Sequence, residues 1–80
     1  MIIGVIGNLP EVREENVNIK SITLAELESK VAKVSNEYEA VFIMKQYLEQ
    51  AGEHQYAQVY RDIKIPVFFI ESKKAHLPFG

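Results

Sequence analysis

No cysteine occurs in this chain of 80 residues. That excludes a disulfide framework, a thiolate nucleophile and cysteine-ligated zinc. Long apolar runs are missing as well. None approaches the roughly 20 residues of a membrane-spanning helix. Met1–Gly7 has no basic stretch and too short an apolar run for a signal peptide. These absences lead to the expectation of a cytoplasmic protein without membrane contact.

An excess of charge of either sign is also missing. Nine Lys and Arg stand against 11 Asp and Glu, for a net charge of −2. Bulk electrostatics therefore gives no reason to expect nucleic acid as a partner. Residues 1–40 hold seven acids and four bases, and residues 41–80 hold four acids and five bases. That contrast describes a mixed solvated surface.

Motifs with complete chemistry are lacking. There is no GxxxxGK[ST] and no GxSxG. Gly4-Val5-Ile6-Gly7 has half of a dinucleotide fingerprint, without the third glycine, the following helix start or the acidic residue. Gly7 reads more simply as the turn out of a strand. His54 and His76 have no partner at metal-ligand spacing, and Glu49 with Glu53 reads as a solvated helix pair. No acid–base pair can be nominated. The expectation is no catalytic residue, no metal, no cofactor, and a protein that is not an enzyme.

What the chain does have is an apolar fraction of 48%, enough for one hydrophobic core spanning residues 1–80 as a single domain. Ile2–Ile6 is a short apolar run closed by Gly7, Asn8 and Pro10, as expected for a central strand. Residues 8–16 read as a loop or one short helical turn, whose first position Pro10 would suit. Val17 and Ile19 alternate with Asn18 and Lys20, the pattern of a half-buried edge strand. Thr23-Leu24-Ala25-Glu26 is a capping box, with Ile22 and Leu27 as the hydrophobic staple. Leu24, Leu27, Val31 and Val34 then follow at helical spacing, and Ser35-Asn36 ends the helix. Glu26 and Lys30 are spaced for an ion pair one turn apart on it.

The stretch from Tyr38 to Ser72 reads as a strand, a helix and a strand. Ala40–Met44 is a second buried strand. A helix over roughly 46–61 places Leu48, Ala51, Gln55 and Val59 near one face, with Tyr47, Tyr56 and Tyr60 at its borders. Gly52 inside that helix is expected to allow close packing on the sheet rather than a kink. Ile65-Pro66 opens the last strand, Val67–Ile70, where proline is tolerated.

The pattern predicts a small α/β fold of flavodoxin-like type. Four mostly parallel strands in the order 2-1-3-4 carry two main helices, in two or three layers. The loop of residues 8–16 is short for a parallel crossover, so the first two strands could pair either way.

Open α/β sheets bind ligands at the carboxyl ends of their strands. Those ends point to Asn8, Lys45, Gln46 and Lys73 as a small-anion or nucleotide site. The last strand is apolar yet expected at an edge, which invites pairing. Tyr47, Tyr56, Tyr60, Phe68, Ile70, Leu77 and Phe79 form the corresponding candidate interface, for a protein partner or a second copy of the chain.

Gly4–Gly7, Tyr38–Met44 and Ile65–Ile70 together resemble the small α/β domain of the stalk component designated F in V-type and archaeal-type ATPases. The resemblance covers about half the chain. It implies a flavodoxin-like fold and a non-catalytic regulatory or stalk role, and no site residues. The chain departs from that pattern in lacking a full helix after its first strand. It also lacks the C-terminal rotor-binding helix and ends in HLPFG.

Overall fold

The computed structural model describes residues 1–11 and 14–71. Four strands form one sheet: β1 (Ile2–Ile6), β2 (Asn18–Ser21), β3 (Ala40–Met44) and β4 (Val67–Ile70). Their order across the sheet is β2-β1-β3-β4, as the sequence predicts. Every pair is parallel, which settles the first pair: Ile2 stands beside Asn18 and Val5 beside Ser21. The fold is thus a small α/β, flavodoxin-like sheet. The connection from β1 to β2, residues 7–17, is at the short limit of about a dozen residues for a parallel crossover. No helix lies among its described residues.

Two helical segments make the other crossovers. The first is α1 (Leu24–Ser29) followed by α2 (Val31–Glu37). Its start is the Thr23 cap of the predicted capping box, with Glu26 reaching back to the Thr23 hydroxyl rather than to its backbone N–H. The Glu26 amide donates to Thr23 Oγ1 at 3.0 Å, and the Thr23 hydroxyl donates to Glu26 Oε1 at 3.3 Å. Lys30 interrupts the single helix that the sequence predicts, with φ −132° and ψ 42°.

The second segment departs further from the continuous helix expected over 46–61. A 3-10 turn over Lys45–Tyr47 leads into α3 (Leu48–Ala51), then another over His54–Tyr56 leads into α4 (Ala57–Asp62). The break falls at Gly52 and Glu53, and it changes which residue of the next turn faces the sheet, while Val59 keeps its inward place. Tyr56 is buried at 3% exposure, while Gln55 is exposed. The expectation for Gly52 is therefore corrected. It is exposed, and a Cβ there would make only ordinary contacts with the carbonyls of Leu48 and Glu49. It marks a kink, not close packing on the sheet.

Both helical segments pack on the same face of the sheet. Leu24, Leu27, Val34, Ala51, Tyr56 and Val59 share one cluster with Ile6, Val41 and Ile43. Handedness explains this. The β2-to-β3 and β3-to-β4 connections advance across the sheet in the same direction, so two right-handed crossovers lie on one side. The opposite face holds Ile3, Val5, Ala40, Phe42 and Met44, with Val17, Ile19 and Ile70 packed against them. No helix among the described residues belongs to that cluster. All of β3 is buried, paired on both sides and with an apolar cluster on each face.

Candidate functional site

The β1-to-β2 connection leaves the sheet in one direction, and the β3-to-β4 connection leaves it in the other. The ends of β1 and β3 therefore part at a topological switch point, where open α/β sheets form a crevice. Gly7 turns the chain out of β1 with φ 117°. A Cβ at that position would lie 2.8 Å from the Met44 Cβ and 2.9 Å from Gln46 Oε1. Only glycine accepts both the torsion and the approach. The Asn8 amide donates weakly to Gln46 Oε1, at 3.5 Å, tying the two strand ends together.

A cavity of about 470 Å³ opens beside this turn. The β1 end contributes Ile6, Gly7 and Asn8, and the β2 end contributes Ser21 and the start of α1. The 3-10 turn after β3 brings Gln46 and Tyr47, and Gln50 and Tyr56 follow. Ile6, Ile22, Leu24 and Tyr56 are buried side chains that give it an apolar floor. Asn8, Ser21, Gln46, Tyr47 and Gln50 surround them with neutral polar groups.

The structure brings together two of the four residues nominated for an anion. Asn8 and Gln46 meet, whereas Lys45 is exposed and does not line the cavity. Lys73 lies outside the described residues. Ser21, Thr23, Gln50 and Tyr47 belong to the cavity but not to that nomination. The end of β2 was the available signal for Ser21, because its carboxyl end lies on the same rim as those of β1 and β3.

The residues nominated for an interface are similarly divided. Tyr47 is 39% exposed and sits at the cavity mouth. Tyr56 is a core residue, because the helix break turns it inward, and this removes it from any contact surface. The Tyr60 hydroxyl donates to the Ala51 carbonyl, and its ring meets Phe69 edge to face at 5.7 Å. Burial, with Tyr56 nearby, holds the Tyr60 hydroxyl above the usual tyrosine range. Phe68 and Ile70 lie on the sheet face opposite the helices, and both remain partly exposed. Leu77 and Phe79 lie outside the described residues.

Nothing among the described residues groups three or more side chains suited to a metal ion, and no helix there is long and apolar enough to cross a membrane. No protein family, curated protein or solved structure matches this chain.

Proposed function

We propose that this chain is a small non-catalytic cytoplasmic protein that works by association, with the β4 edge as its contact surface and a second copy of itself as partner. The observation that carries this reading is the state of β4. Among the described residues it pairs only with β3, leaving its outer row of backbone groups as a template for another strand. Its side chains Val67-Phe68-Phe69-Ile70 carry no charge. Phe68 and Phe69 point to opposite faces and are 39% and 52% exposed. Edge strands of monomers are normally blunted by lysine, proline or a bulge within the strand, and β4 has none of these inside its span.

A two-fold axis beside β4 would pair two copies antiparallel and join two four-stranded sheets into one. A regulatory or accessory role, of the kind held by the ATPase stalk domains that the sequence resembles, is part of the same proposal. It needs a docking surface and no catalytic group.

Light scattering over a concentration series tests the reading. A dimer is expected to accumulate by roughly 1 mM, which corresponds to about 4 kcal/mol of association. Phe69→Lys, which places a charge on the edge, should return the protein to a monomer. A strict monomer at the highest concentration would sink self-association.

A further inference from the structure

We propose that the cavity at the β1–β3 switch point binds an uncharged, nucleobase-like heteroaromatic molecule. Its size, about 470 Å³, falls within the roughly 300–1,000 Å³ of small-molecule sites. Its position is the one where sheets of this topology open a crevice. Its composition combines an apolar floor with a few converging polar groups, the pattern of a ligand site.

The chemical class follows from the lining. Among the described residues, none of the twelve that line the cavity is charged, so none of them repays the desolvation of a phosphate or carboxylate. Three residues with side-chain amides line it instead, Asn8, Gln46 and Gln50. An amide offers a donor and an acceptor side by side. That pair matches the adjacent acceptor and donor on the edge of an aminopurine or a lactam. The groups are also available. Among the described residues, the side chains of Asn8, Ser21, Tyr47 and Gln50 make no hydrogen bond, and Gln46 makes only the 3.5 Å contact with the Asn8 amide. Tyr47, exposed at the mouth, supplies a ring against which a flat molecule can lie.

This site is separate from the β4 edge, so it stands or falls without the association reading. The two lysines that the sequence nominated, Lys45 at the end of β3 and Lys73, are not needed. Recognition would rest on neutral hydrogen bonding, not on charge.

The test is a titration of isotope-labelled protein with adenosine, AMP and inorganic phosphate, followed by amide resonances. Adenosine is expected to shift Gly7, Ser21, Gln46 and Gln50 saturably, with AMP binding within about tenfold of it and phosphate alone doing nothing. Ala25→Trp, an exposed position on the rim, should fill the cavity and abolish the shifts. Gln50→Leu should weaken binding by about tenfold and serves as the second variant if Ala25→Trp does not fold. Absence of saturable shifts with adenosine would overturn the proposal. So would the same shifts from phosphate alone, or unchanged affinity in the variant that folds.

Discussion

The rings of Phe42 and Phe68 meet edge to face, with centroids 5.4 Å apart and planes inclined at 81°. Phe42 is fully buried on the central strand β3, while Phe68 is its register partner on the edge strand β4. The pair links the fully buried strand of the sheet to one of its edge strands. The two partners should therefore respond unequally to truncation. Phe42→Ala removes a fully buried ring and is expected to cost about 3–5 kcal/mol. Phe68→Ala leaves a smaller void at a partly exposed site and should cost clearly less. A double-mutant cycle should show coupling of about 0.5–1.5 kcal/mol, the range for aromatic pairs. Urea denaturation of the four proteins at low concentration measures all three quantities. Equal costs for the two single variants would contradict the placement of β4 at the edge.

Two glycines make a second, opposed pair of expectations. Gly7 sits at φ 117°, in a region that side chains rarely adopt, with Met44 and Gln46 closing on it. Gly7→Ala should destabilise the fold by about 1–3 kcal/mol from the torsion, with the Met44 contact adding to it. Gly52 has ordinary right-handed torsions, φ −81° and ψ −2°, and a Cβ there would meet its neighbours only at ordinary contact distance. Gly52→Ala should therefore stabilise by about 0.4–1 kcal/mol, by restricting the unfolded chain. Thermal unfolding of both variants decides the matter. A destabilised Gly52→Ala would mean that the kink after α3 is under strain the torsions do not show.

Much of this fold was legible in the sequence where a local signal and a tertiary requirement agree. Thr23 and Glu26 announce the start of α1 because capping is a contact within four residues. Ile2–Ile6 and Ala40–Met44 announce central strands because burial on both faces demands unbroken apolar runs. The strand order follows from right-handed crossovers and short connections. The helix breaks at Lys30 and at Gly52–Glu53 were not legible. An apolar spacing can be read equally well through a continuous helix, and Gln55 satisfies it on paper where Tyr56 satisfies it in space. The expected ion pair of Glu26 with Lys30 fails for the same reason. Lys30 belongs to a turn, and the Glu26 carboxylate takes the Thr23 hydroxyl. At the cavity, the two residues found in advance lie at the ends of β1 and β3. The missed ones come from the end of β2, the cap of α1, the 3-10 turn over Lys45–Tyr47 and α3, and the placement of the last two depends on that turn.

Alkaline stability should report on the packing of the helices over the sheet. Burial raises the Tyr60 hydroxyl above its ordinary value of 10.0, with Tyr56 adding to the effect. Tyr38 is raised too, by burial first and then by Glu37 and Glu26. A tyrosine whose folded value is raised holds its proton in the folded state after the unfolded chain has lost it. Folding is then favoured fully below the unfolded value, and that contribution falls away as pH climbs through the folded one. Stability should be level from neutrality to about pH 9 and decline above about pH 10. The lysines titrate in the same range, so the informative quantity is the difference between the parent protein and Tyr60→Phe. That variant loses the hydrogen bond to the Ala51 carbonyl, at a cost of about 1 kcal/mol near neutrality. It should also lose part of the alkaline slope, so the two denaturation curves converge as pH rises. Curves that stay parallel to the highest pH would show that the Tyr60 hydroxyl titrates no differently in the folded protein than in the unfolded chain.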